Sequence, residues 1–447
     1  MKKQNKKLIV AAIAAALSAA SAIPALALEN QFNGAFTAFY DNTNFTSSGV
    51  VQNDAPSTNY FVQRVRLGYT AKADDHVKLV TKFEFDYNYW GNNSYTTGRG
   101  TGGAIGADSV NMETKHLYLD LTYPQLNTKI GMMPYNDSFK GVLFDGDMAG
   151  VLLSHDYSNA GISAGFFRFG DATDDVSGDD GRQQDSTRLG KNTSDMFSLD
   201  GKYSVSKDLT VGAAYYYIKD DSRSNLTEAR MDAKVHNFGV NAAGNVGPIA
   251  LNGFFLKQFG DLATGVDAEG YAFNVGAKMP LVGGTLRSEF LYVSGGDDAF
   301  YVANGPGYTE GGQFYDAEMI MLGRDKYATT IDNALIYDVN NFNEGVIMGT
   351  VGYDYTFNDK VSGSANVGFA AIADDADGAA ARDDFYGGTL TRGNGDYLGT
   401  EVNAEAYYKL TANVTLGARA GYVFVGDYFA SNVDDLYDAK LIAKYNF

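Results

Sequence analysis

Charged residues in this 447-residue chain recur in segments that otherwise alternate polar and apolar. Arg64 and Arg66 stand two apart in YFVQRVRLGYTA, and Lys82, Glu84 and Asp86 follow at the same spacing in VKLVTKFEFDYNYW. Glu401 and Glu405 stand four apart, Arg419 lies within VTLGARAGYVFV, and Lys440 within the terminal LYDAKLIAKYNF. An extended backbone sends residues i and i+2 to one side, so each set shares the polar face of a strand. Groups of this kind steer, orient or bind a charged solute. Little in the chain asks for catalysis. His76, His116, His155 and His236 lie on different segments without metal-binding spacing, and there are no cysteines to form a disulfide or a thiolate site. The expectation is a protein that is not an enzyme and has no cofactor.

The elements that carry these charges read as strands. From Asn30 onward, segments of about ten to fourteen residues with period two alternate with short and long connectors. Eighteen candidates follow: 32–41, 60–72, 77–90, 112–123, 127–133, 151–157, 161–169, 196–205, 209–219, 235–245, 249–259, 270–279, 285–294, 346–357, 361–372, 398–410, 414–425 and 436–447. The stretch 295–345 is long enough to hide another hairpin, which keeps sixteen or twenty strands open. Tyrosines precede tight polar turns in YSVSKDLT, YTFNDKVS and YKLTANVT, as in an aromatic girdle at a membrane interface.

Residues 1–27 join four lysines, an apolar run and Ala25-Leu26-Ala27, the pattern of a secretory signal peptide, and leave 28–447 as the mature chain. No later stretch has the roughly 18 consecutive apolar residues of a membrane helix. A formal net charge of −19 argues against nucleic acid as a partner. An exported chain of long amphipathic strands satisfies its backbone in hydrocarbon only as a closed barrel. The expected fold is therefore an all-β transmembrane antiparallel barrel with short periplasmic turns and long extracellular loops. About eighteen strands leave room for a water-filled lumen.

The sequence resembles the outer-membrane porins, most closely the homotrimeric porins of anaerobic Gram-negative bacteria. The resemblance lies in YFVQRVRLGYTA, GGAIGADSVNMETKHLYLDLTYP, KIGMMPYNDSF, DGDMAGVLLSHDY and the terminal Phe447. It implies a homotrimer in the cell outer membrane, in contact with its lipid and lipopolysaccharide. It also implies a third loop folded into each lumen, and a channel for passive diffusion of ions and small hydrophilic solutes. The alternatives are a channel selective for an anion or oligosaccharide, and a surface adhesin or structural barrel.

The third long connector, 134–150, carries Asp137, Asp145 and Asp147 against the single Lys140, with Phe139, Val142, Leu143 and Phe144 as apolar anchors. Closure of the last strand on the first would bring Arg64, Arg66, Lys82, Arg419 and Lys440 together. They would then form a basic wall facing this acidic loop, with Glu84, Asp86, Glu401 and Glu405 as the lumenal acids. The other reading is that each arginine pairs with a carboxylate on the wall. The acidic runs DATDDVSGDDG (171–181) and ADDADGAAARDD (373–384) lack EF-hand spacing. Either has the composition to hold calcium or magnesium loosely.

Overall fold

In a computed structural model, residues 29–45, 51, 53–92, 103–105, 112–170, 193–221, 233–263, 265–302, 304–305, 308–309, 312, 315–323, 334–375 and 392–447 are described. The expected signal peptide, 1–27, the run 171–181 and most of 373–384 lie outside them. Eighteen antiparallel strands close into a barrel. They are β1 (Glu29–Thr43), β2 (Thr58–Lys72), β3 (Val77–Tyr89), β4 (Met112–Tyr123), β5 (Leu126–Asn136) and β6 (Asp145–Asp156). Next come β7 (Ala160–Gly170), β8 (Ser194–Ser206), β9 (Leu209–Asp220), β10 (Ala233–Val246), β11 (Ile249–Ala263) and β12 (Tyr271–Leu281). The last six are β13 (Gly284–Val293), β14 (Val346–Thr356), β15 (Val361–Ala371), β16 (Tyr397–Lys409), β17 (Val414–Val425) and β18 (Leu436–Asn446).

Each strand pairs with its neighbours in sequence, and β18 closes on β1 with Lys440 opposite Asp41 and Ala443 opposite Ala38. Phe447 extends the seam: its amide and carbonyl exchange hydrogen bonds with Gly34 at 3.0 and 2.9 Å. A Cβ at position 34 would stand 2.4 Å from the Phe447 ring, so only glycine lets the two ends approach this closely. Short turns lie at one end of the barrel. One of the two-residue turns, Val282-Gly283, has both residues at positive φ (47° and 79°), the geometry that matches the twist of a two-residue hairpin.

The polarity of the barrel is inverted relative to a protein folded around an apolar core. On the outward parity Phe32 is 74 % exposed and Leu441 62 %, while Asp41, Asn237, Gln258 and Lys440 on the inward parity are buried. Contiguous exposed apolar surface of this extent needs an apolar surround, and buried charge needs partners. The strands, at about 3.3 Å per residue, are long enough to cross a hydrocarbon layer of about 30 Å.

Two expectations are corrected here. The connector expected at 134–150 is shorter: β5 runs on to Asn136 and β6 begins at Asp145, paired with one another to the last residue. Only 137–144 is loop, and Asp145 and Asp147 belong to a strand. The stretch 295–345 adds no barrel hairpin among its described residues. It holds a 3-10 turn, Gly296–Asp298, a two-residue ladder, and a segment packed inside the barrel.

Candidate functional site

The loop 137–144 turns into the lumen because one carboxylate organises it. Asp137 accepts hydrogen bonds from the amides of Phe139 (2.6 Å), Gly141 (3.0 Å), Leu143 (2.6 Å) and Phe144 (2.8 Å). Burial pushes its carboxyl up to about 6, and the four amide donors pull the other way. With its backbone so satisfied, the loop presents Phe139, Val142, Leu143 and Phe144 to the wall, all fully buried. Phe139 packs on Tyr216 of β9 and Phe254 of β11 at centroid distances of 6.0 and 5.6 Å. Polar ties lock the same contact. Ser138 Oγ donates to Asp200 on β8 at 2.7 Å, and Lys140 Nζ reaches Glu289 on β13 at 2.5 Å.

A second inward segment comes from the described residues 312 and 315–323. The amides of Ile320, Met321 and Leu322 donate to the Glu401 carboxylate on β16 at 2.6, 2.9 and 2.8 Å. Tyr315 donates to Glu289 at 2.8 Å and accepts from Asn274 on β12 at 2.9 Å. Burial and the Glu289 carboxylate push its hydroxyl well above the ordinary tyrosine value, so it stays a donor. Thr350 on β14 donates to the Ala317 carbonyl at 2.6 Å. Further up, Gln258 of β11 bonds both the amide and the carbonyl of Tyr301, each at 2.7 Å. The two segments meet where the amide of Gly312 donates to the carbonyl of Gly141 at 2.9 Å.

Between them lies a cavity of about 340 Å³ lined by Lys140, Lys278 and Arg287 on one hand and Asp145, Glu289, Asp316 and Glu318 on the other. Arg287 is fixed from several sides: Asp354 at 2.8 and 3.0 Å, Ser364 at 2.7 Å, Asn366 at 2.6 Å, and Glu318 at 3.3 Å. A second cavity, of about 440 Å³, is bounded by Tyr135, Ser138, Asp200, Lys202 and Asn241. Both are lined by charge of each sign.

The residues expected to form a basic wall are placed on the inner face, and three of them, Arg64, Arg66 and Lys440, stand there as paired charges. Arg64 Nε lies 2.6 Å from Asp86 and 3.3 Å from Glu84, and Arg66 Nε bonds Glu84 as well. Lys440 is enclosed by Asp41 (2.9 Å) and Asp438. Arg419 stands in the ladder between Glu405 and Lys440. Lys82 lies opposite His116 on β4, near Arg66. The acidic partners are thus on the wall itself. Asp147 faces Lys115 at 3.1 Å and His116 at 3.0 Å, joining that network and not the loop. Asp145 lines the smaller cavity with Lys140. Among the described residues one acidic group, Glu84, Asp86 and Glu113, has oxygens within 4.8 Å of one another, but Arg64 and Arg66 already occupy Glu84 and Asp86.

The polar parity of the strands places Arg287, Glu289 and Asp200 on the lumenal wall, but sequence reasoning gave them no site role and did not reach Tyr315. Arg287 and Glu289 carry the same two-apart signal as Arg64 and Arg66, whereas Tyr315 sits in a stretch with no periodicity. Gly161-Ile162-Ser163-Ala164-Gly165 spells a nucleophile elbow. It lies within the regular strand β7 and not at a strand-to-helix turn, so the spelling carries no such chemistry.

The fold defines a class of closed, lumen-bearing 18-strand barrels. No protein-family model matches the chain, and no curated protein matches it in sequence. Solved structures do match in fold. OccK3 (OpdO) of Pseudomonas aeruginosa aligns with a TM-score of 0.56 at 13% identity, over 94% of this chain and 96% of that one. The outer membrane protein opdK of the same organism gives 0.54 at 12% identity, over 94% and 99%. A BenF-like porin from Pseudomonas fluorescens Pf-5 gives 0.54 at 15% identity, over 94% and 98%.

Proposed function

We propose that this protein is an outer-membrane channel selective for small, hydrophilic, dipolar solutes, and not a wide general-diffusion pore. The observation that carries the reading is the contact between two inward segments, with a charged cavity of about 340 Å³ between them and a second of about 440 Å³ beside the first loop, each lined by charge of both signs. The smaller sits at the low end of the roughly 300–1,000 Å³ range of small-molecule sites. It suits a solute of amino-acid or monosaccharide size better than an oligosaccharide. The outward apolar belt and the inward polar face support a membrane position, and the fold shared with a BenF-like porin supports a channel. The homotrimer that the sequence resemblance implies belongs to the same proposal, and crosslinking to three copies tests it.

In planar bilayers the purified protein should give small, ohmic steps that saturate with, or are blocked by, a panel of zwitterionic and uncharged solutes. Large steps insensitive to every solute would restore the general-diffusion reading. A folded barrel with no conductance would leave an adhesin or structural role.

A further inference from the structure

Among the described residues, outward-facing Lys and Arg side chains of the strands gather in one sector. Among the described residues, four basic side chains stand on the outward parity of the barrel strands: Arg168 on β7, Lys219 on β9, Lys234 on β10 and Lys257 on β11. The other described basic residues of the strands lie on the lumenal parity or, like Lys115, reach the Glu84 network.

These four belong to a built arrangement. Across adjacent strands Arg168 faces Asp195, Asp195 faces Lys219, Lys219 faces Lys234, and Lys234 faces Asp261. Two residues nearer the short turns, a row of rings runs in the same order: Phe166, Phe197, Tyr217, His236 and Phe259. Successive centroids are 5.1, 6.5, 4.8 and 5.2 Å apart. Aromatic rows of this kind mark the border between hydrocarbon and headgroups. The charged row stands about 7 Å beyond it, toward the long connectors, where headgroup phosphates lie. Lys257, below the rings, reaches back up to the carbonyl of Glu269 and over the Tyr271 ring at 5.5 Å. That is the behaviour of a cation drawn toward a headgroup layer.

The charges are also arranged for an anion from outside. Arg168 is held by Asp195 at 2.7 and 3.0 Å and is still 41 % exposed. Lys219 and Lys234 are direct cross-strand neighbours, a like-charge pairing that is unfavourable in a sheet unless negative charge comes close. Asp221, Asp195 and Asp261 flank the pair, which leaves both cations on the face that a phosphate in the membrane approaches. A chain with a net charge of −19 gathers these cations where no solute passes, on the face turned to lipid.

We infer that this row seats the phosphate groups of an anionic lipid of the outer leaflet, with Lys219 and Lys234 as the main contacts, Arg168 beside them and the ring row against the upper acyl chains. The inference rests on the outer-membrane reading above. A phosphorylated lipid is favoured over a second copy of the chain because the row follows the aromatic border at headgroup height.

The test uses the full-length protein in detergent, titrated with diphosphoryl lipid A and with the same lipid stripped of its phosphates, bound lipid being counted by native mass spectrometry. Wild type should prefer the phosphorylated form. Lys219→Gln combined with Lys234→Gln should weaken that preference on the order of ten-fold or more, and Lys360→Gln in a short turn should leave it intact. Arg168→Gln gives a smaller loss and keeps the test decisive if the double variant does not fold. Equal preference in wild type and variants overturns the inference. So does a double variant that loses oligomer mass but keeps the lipid preference, which would make the row a contact between copies. Bilayer conductance of the same preparations separates the two readings: a conducting channel without lipid preference removes this inference alone, and a silent one removes the channel.

Discussion

The amide of Gly312 donates a hydrogen bond to the carbonyl of Gly141, 2.9 Å away, and so ties two loops that enter the lumen from different strand pairs. Both glycines have left-handed backbones, with φ of 71° and 77°. A Cβ at position 312 would stand 2.4 Å from Val339 Cγ2. Gly312→Val should therefore cost roughly 1–3 kcal/mol locally and separate the segments. The expected readout is a larger single-channel conductance with weaker solute block, and an unchanged conductance would mean that the contact does not narrow the path.

Asp137 holds the first loop through four amides that have no other acceptor in that turn. Asp137→Ala leaves these donors buried and unsatisfied, at about 1–3 kcal/mol each. The loop should swing from the wall, exposing Phe139 and Phe144. Faster proteolytic nicking between 137 and 144, with the barrel intact, checks this.

The pH behaviour of the same group has a definite sign. Its native value of about 6 lies above the roughly 3.9 of an unfolded aspartate. The native state therefore binds the proton more tightly, and the stability contributed by this group falls as pH rises from about 4 to 6 and is level beyond. Acid does not release the loop through Asp137. Conductance at pH 5 should be no greater than at pH 7, and an increase would contradict the assignment.

Glu84 is buried at the crossing of Arg64 and Arg66. Replacing both arginines by alanine leaves an under-compensated carboxylate, and breaking buried pairs of this kind costs about 3–5 kcal/mol. A lower unfolding temperature and a reversal potential shifted toward cations are expected together. A shift in selectivity without loss of stability would show that the arginines face the solute and not the wall.

At the closing seam, Lys440 lies between Asp41 and Asp438, all three buried. Lys440→Met should destabilise closure by a similar amount, about 3–5 kcal/mol, and conductance of the surviving folded fraction should change little. Heat-induced loss of the compact, detergent-resistant form measures it.

Period-two alternation by itself located eighteen strands, with sixteen or twenty left open by 295–345, and assigned their inner and outer faces, because each depends only on which side of a pleat a residue takes; the pairing of the terminal strand with the first followed from the need to close a barrel in hydrocarbon. It also placed Arg64, Arg66, Glu84, Glu401 and Lys440 on the inner face. What those residues do there was decided in three dimensions. Whether Arg66 meets Glu84 depends on cross-strand register, and a one-residue slip between β2 and β3 would set Arg66 opposite Phe83 or Phe85 and turn Glu84 to the other face. The second inward segment left no trace in the pattern, since its amides are held by Glu401 from a strand some eighty residues further along the chain. A long-range bond to an irregular backbone has no periodicity, and only the closed barrel brings its two ends together.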